Sequence, residues 1–148
     1  MSRNAQGLAE AAAATMYSDD RCSKALGMEL LEVRPGYARM RMAVRKEMTN
    51  GHNIGHGGMT FSLADSTFAF ACNSHNKPAV AVNCMIDFIS QVQLGDVLTA
   101  TAVEQSLAGR YGVYDVRIDN QHGEAVALFR GKSMQLKGAW VDTAPKAN

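Results

Sequence analysis

The chain has 148 residues, 47% of them hydrophobic, which is enough for one domain with a sizeable core. Its 15 basic and 14 acidic residues leave a net charge of +1 and form no long run of one sign, which argues against the clustered basic face of a nucleic-acid binder. The alanine-rich stretch Leu8 to Met16 is interrupted by Glu10 and is too short and too weakly apolar to span a membrane, and no signal-peptide layout surrounds it. The expected compartment is therefore the cytoplasm, with neither membrane nor nucleic acid as partner. Cys22, Cys72 and Cys84 contain no C-x-x-C pair and read as small apolar residues in a reducing environment.

In chain order, Asn4 to Tyr17 has helical propensity, and Ser18, Asp19 and Asp20 offer caps for a short second turn ending near Leu26. From Met28 the period changes. Met28 to Val33 and Tyr37 to Val44 are short strand-like runs joined by the turn Arg34-Pro35-Gly36. The second run alternates, with Ala38, Met40, Met42 and Val44 on one face and Arg39 and Arg41 on the other. After a glycine-rich loop, Asn50 to Gly58, the stretch Gly57 to Ser74 is too long and too continuous for a strand. It predicts a helix apolar over most of its circumference, hence buried and central. Four further strand-like runs, about Ala79 to Ile89, Val97 to Ser106, Tyr111 to Asp119 and Glu124 to Leu136, are separated by breaks short enough for an antiparallel meander. The tail from Ala139, with Trp140, lacks periodicity and is expected to be loose.

Two strands, one greasy helix and four strands predict an α+β domain spanning 1–148: a curved antiparallel sheet of about six strands wrapped round the helix, with a helical segment at 4–26, a core at about 26–138 and a tail at 139–148. One sheet cannot cover a helix that is apolar all round, so a second copy of the chain is expected to cover the rest.

Between Glu47 and Lys77 the only formally charged side chain is Asp65. A carboxylate in an apolar helix costs desolvation unless it is paired or used, so Asp65 is the first catalytic candidate; a solvent-facing stripe with Ser62 and Ser66, or a buried structural Asp, is the plainer alternative. Gly57 and Gly58 carry no side chains, so a substrate can approach the N–H groups of the first helical turn, whose dipole suits an oxygen that becomes negative during reaction. No Lys-Ser or Lys-Thr follows, so this is not a phosphate loop. Gly57 and Asp65 are eight residues apart, a helical rise of about 12 Å, too far for one carbonyl group to meet both. If both act on one substrate, Asp65 comes from a second chain whose helix runs antiparallel. Asn50 can orient a water or hold a carbonyl, although Asn50-Gly51 is also a strong turn dipeptide. His52 and His56 lack a third close ligand, so no metal is expected; His56 could act as a base, but its place just before the helix suits a hydrogen bond that fixes the loop. Cys72 could be a nucleophile only with a base nearby, and none is evident.

Together Asn50-Gly51-His52, His56-Gly57-Gly58 and Phe61-Ser62-Leu63-Ala64-Asp65 closely resemble the hotdog-fold acyl-CoA thioesterases of the phenylacetic-acid-degradation (PaaI-like) type. The likeness runs from about Leu26 to Gly138 and includes Ile86-Asp87-Phe88, Tyr114-Asp115-Val116 and Phe129-Arg130-Gly131-Lys132-Ser133. It implies a hotdog fold, homodimers paired through their sheets, and usually tetramers. It also implies hydrolysis of an aryl-acetyl, aromatic or medium-chain acyl-CoA with no cofactor, coenzyme A being part of the substrate. On that resemblance Gly57 N–H polarises the thioester carbonyl, the partner's Asp65 is base or nucleophile, Asn50 assists, and His56 and Gly58 support. Asn83, Arg110, Arg130 and Lys132 are candidate substrate contacts. Many relatives carry Arg-Pro where this chain has Ser90-Gln91, which bears on the coenzyme A end or the subunit packing. The rival readings are a hydratase or dehydratase of the same fold, working through a histidine, and a non-catalytic acyl-CoA binding protein.

Overall fold

The computed structural model describes residues 3–143. Helix α1 (Ala5–Asp19) starts at Asn4, whose side chain accepts a hydrogen bond from Gly7 N, and α2 (Arg21–Ala25) starts at Asp20, which accepts from Ser23 N. Strands β1 (Glu29–Arg34) and β2 (Tyr37–Ala43) form a hairpin across Pro35-Gly36, with φ +73° at Gly36, as a Pro-Gly turn requires. The alternation read in β2 holds: Ala38, Met40, Met42 and Val44 are buried. A single helical turn at Lys46–Met48 leads into the glycine-rich loop and then α3 (Gly57–Asn73). Strands β3 (Ala79–Phe88), β4 (Val97–Ala108), β5 (Tyr111–Asp119) and β6 (Ala125–Gln135) complete a fully antiparallel sheet in the order β1-β2-β4-β5-β6-β3.

Helix α3 touches every strand, so the sheet curves round it. Leu63, Phe68 and Phe70 pack with Met40, Met42, Leu98 and Ile118 in the core. Phe68 meets Tyr114 and Phe129 at ring separations of 5.6 and 5.8 Å. Burying an aromatic side chain of this kind contributes about 2–3 kcal/mol. The two sheet edges differ. Helix α1 lies along β1, where Gln6 Nε2 donates to Val33 O (2.9 Å) and Tyr17 Oη donates to Met28 O (2.7 Å). The outer edge of β3 has no neighbouring strand.

Two expectations need correction. The last four strands are not a meander: β3 pairs with β6, and residues 89–96 carry the chain back across the sheet to β4. Asn73 Oδ1 accepts from Ala79 N (2.8 Å) across the short turn into β3, while Gly55 N donates to Val92 O (2.6 Å), a contact between distant segments that ties the return path to the loop before α3. The tail is not loose through its described part, because Trp140 Nε1 donates to Asn73 Oδ1 (2.9 Å) and Trp140 N and Val141 N both donate to Asn76 Oδ1. Residues 144–148 lie outside the described residues. One face of α3 is left uncovered by the sheet, as expected of a single chain. Gly58 is exposed, and Met59, Ser62, Asp65, Ser66 and Ala69 form a half-buried stripe at helical spacing.

Candidate active site

The loop before α3 is organised by Asn50. Its Oδ1 accepts from His52 N (2.9 Å) and Ile54 N (3.4 Å), and its backbone N donates to Ile54 O. The turn role and the functional role of Asn50 are therefore compatible, since its Nδ2 donors have no protein partner among the described residues. His56 is the N-cap of α3, and its Nδ1 accepts from Gly58 N (2.9 Å). An accepting Nδ1 fixes the neutral tautomer with the proton on Nε2 and makes the ring a cap. This is the loop-fixing bond the sequence suggested. It also engages Gly58 N, so Gly57 N–H is left as the first-turn donor with no acceptor among the described residues.

Gly57 has a second reason to be glycine. A Cβ there would lie 2.9 Å from Phe88 Cζ, so the ring tip occupies the space a side chain would need. Phe88 is nonetheless 58% exposed, standing as a wall beside the Gly57 N–H. Asn50, Gly57, Thr60 and the segment Phe88 to Val92 line one cavity of about 370 Å³. Ser90 and Gln91 stand on its wall.

Asp65 lies two turns further along α3, on the half-buried stripe, and does not line that cavity. Burial raises its pKa above the ordinary aspartate range, and no cation or donor offsets this. Cys72 is buried, and desolvation pushes its thiol up to about 12, which removes it as a nucleophile. Among the described residues no three His, Cys, Asp or Glu side chains converge as a metal site would need.

The four outlying candidates are not brought to the cavity. Asn83 is exposed on β3, with its outer edge open, and Arg110 sits in the β4–β5 turn, at the sheet end near the C-terminus of α3. Arg130 donates twice to Asp115, at 2.6 and 2.8 Å, on the outer sheet face, and Lys132 lies over the Tyr111 ring at 5.1 Å. Phe88 and Thr60 were not singled out from the sequence. For Phe88 no local signal exists. For Thr60 there is one: it shares the 3–4 spacing of Leu63, Ala64, Thr67 and Phe68, the core face of α3.

Six antiparallel strands round a helix, with an open N–H at the helix start and a lone carboxylate two turns on, define a class. The chain belongs to the thioesterase superfamily, which matches over residues 52–127, and has the hotdog fold of those thioester-hydrolysing enzymes. Acyl-coenzyme A thioesterase PaaI of Escherichia coli is 49% identical over 123 residues, 83% of this chain and 88% of that one. Its solved structure matches with a TM-score of 0.86 at 47% identity, covering 89% of this chain and 98% of the other. A mutant of the phenylacetic acid degradation protein PaaI from Thermus thermophilus matches at 38% identity and a TM-score of 0.76, covering 79% and 100%. A hypothetical thioesterase of Streptococcus pneumoniae, solved with coenzyme A, matches at 25% identity and 0.71, covering 73% and 87%.

Proposed function

We propose that this chain hydrolyses acyl-CoA thioesters to a free acid and coenzyme A, at sites shared between two copies. The observation that carries the reading is the open Gly57 N–H at the start of α3, facing a cavity beside the free amide of Asn50. The thioester carbonyl oxygen accepts from Gly57 N–H, where the helix dipole favours the charge that develops. The partner's Asp65 takes a proton from water, the water oxygen bonds to the carbonyl carbon, the carbon–sulfur bond breaks, and the proton passes to the leaving thiolate. A carboxylate whose pKa is raised by burial is a stronger base than an exposed one, which suits Asp65 to take that proton. Asn50 Nδ2 assists at the oxygen, and His56 and Gly58 hold the helix start in place. No metal or cofactor enters this sequence, and coenzyme A arrives as part of the substrate.

The second copy is supported by two surfaces. The free edge of β3 exposes Val80, Val82, Phe88 and Ile89, and the half-buried stripe of α3 surrounds Asp65 with small residues. Antiparallel pairing along these surfaces sets one chain's Asp65 opposite the other's Gly57. The outer sheet face, with Met85, Val103 and Leu128 around a groove of about 690 Å³, supports a further pairing into a dimer of dimers. Arg130, held by Asp115, belongs to that face. Arg110, Lys132 and Asn83 are the contacts we assign to the coenzyme A arm. The apolar walls Ile54, Phe88, Ile89 and Val92 support an aromatic or medium-chain acyl group, and the three free thiols support a cytoplasmic setting.

The test is thiol release over a panel of aryl and alkyl acyl-CoAs, with Asp65→Asn as control. Wild type releases thiol, and the variant, still folded and dimeric, loses about a thousandfold in kcat with little change in KM. Near-normal turnover in Asp65→Asn would sink the assignment.

A further inference from the structure

Thr60 is 2% exposed, yet its hydroxyl has no hydrogen-bond partner among the described residues. Thr67, one helical repeat on, behaves differently: its Oγ1 donates to Leu63 O at 2.7 Å, the usual bond back to the preceding turn. Thr60 cannot copy this easily, because its counterpart carbonyl, His56 O, already accepts from Met59 N (2.9 Å) and Thr60 N (3.5 Å) at the cap. No fully enclosed side-chain oxygen or nitrogen lacks a partner among the described residues, so the small accessible area of Thr60 includes its Oγ1, and the surface it reaches is the cavity that Gly57 and Asn50 line.

The direction of the side chain adds to this. Helical side chains lean toward the N-terminus and cover the residue three positions earlier. For Thr60 that residue is Gly57, beside which stands the ring tip of Phe88. Thr60 and Gly57 line the same cavity. A carbonyl oxygen has two lone pairs, and one backbone N–H satisfies only one of them. A hydroxyl that opens on the cavity and bonds to no protein group is free to donate to a substrate oxygen when it binds.

We infer that the Thr60 hydroxyl is a substrate-contacting hydrogen-bond donor, placed beside Gly57 N–H to hold the thioester oxygen as it gains charge. This rests on the proposed role of Gly57. It adds a residue that is not among the Asn, Gly and Asp positions of the shared motif.

The experiment compares wild type, Thr60→Val, Thr60→Ser and Asp65→Asn in steady-state hydrolysis of phenylacetyl-CoA, with thermal unfolding measured alongside. Thr60→Val keeps the shape and removes the hydroxyl. Its kcat should fall by about tenfold or more while KM stays within about threefold, since the bond strengthens as charge develops. Thr60→Ser should retain kcat within about threefold. Thr60→Val should also melt no lower than wild type, because the hydroxyl it removes bonds to no protein group. A structural role would move activity and melting temperature down together. Thr60→Val with kcat within about twofold of wild type would overturn the inference, as would equal losses in the valine and serine variants with lowered melting temperatures. Inactive Asp65→Asn beside a normal Thr60→Val strikes out Thr60 alone. A normal Asp65→Asn beside an impaired Thr60→Val strikes out the Asp65 role and leaves Thr60 standing. A wild-type chain without thiol release overturns both.

Discussion

The two ends of α3 are built on opposite rules. At the C-terminal end the buried polar groups are engaged. Asn73 donates to Ala69 O and Ala79 O and accepts from Ala79 N and Trp140 Nε1, while Ser74 Oγ donates to Ala71 O and accepts from Gly36 N. Beside them, His75 Nε2 and Tyr114 Oη both contact Glu104 Oε2 at 2.6 Å. At the N-terminal end Gly57 N–H, Asn50 Nδ2 and Thr60 Oγ1 stand round a cavity without partners among the described residues. Complete satisfaction of polar groups gives stability and a fixed register, whereas donors held in place but left open are what a reacting oxygen needs. One helix thus serves as anchor at one end and as site at the other.

Variants at the two ends should separate these roles. The largest expected effect on stability is at the closed end. Asn73→Ala leaves the half-buried Ala79 N–H and Trp140 indole N–H without their acceptor and should cost about 2–3 kcal/mol in chemical denaturation, with little change in kcat per folded molecule. If kcat fell in proportion to that loss, the division between the ends would be wrong. Next comes Asn50→Asp, which keeps the oxygen that His52 N and Ile54 N donate to but removes the open Nδ2 donors. It should lower kcat by about tenfold or more with an unchanged denaturation midpoint; an intact rate would confine Asn50 to its turn.

The smallest effect is a pH dependence of stability. Burial raises the pKa of Asp65 in the folded chain, so folding favours the protonated form. In the window from the ordinary aspartate range up to the raised value the folded state binds more protons than the unfolded one, so stability falls as pH rises through it. Asp65→Asn should therefore be more stable than wild type at neutral pH, with the gain vanishing in acid. A gain independent of pH would show that Asp65 carries no such penalty.

Much of this was legible in the sequence because it is local. The period-two pattern of β2, the Pro35-Gly36 turn, the continuous apolar run of α3 and the isolation of Asp65 can each be read within a few residues. What could not be read is where distant segments meet. The return path from β3 to β4 is tied by Gly55 to Val92, and the anchoring of Trp140 depends on two asparagines more than sixty positions earlier. Neither leaves a periodic trace. Gly57 was noticed for a sound reason, access to its N–H, but its contact with Phe88 comes from the far edge of the sheet. Thr60 was passed over because a threonine in an apolar helix usually bonds back to its own turn, as Thr67 does.

The sheet has one edge closed and one open. Along β1 the chain's own helix presents Gln6 and Tyr17 to backbone carbonyls, as described above. Along β3 nothing of the kind is present. In terms of assembly this gives the sheet a valence of one. Two such edges can meet about a two-fold axis and use each other up, leaving no strand edge from which a third molecule could extend the sheet. The α1 helix therefore bears on the proposed assembly: if two β3 edges pair, it leaves no second edge from which the sheet could propagate into a fibre.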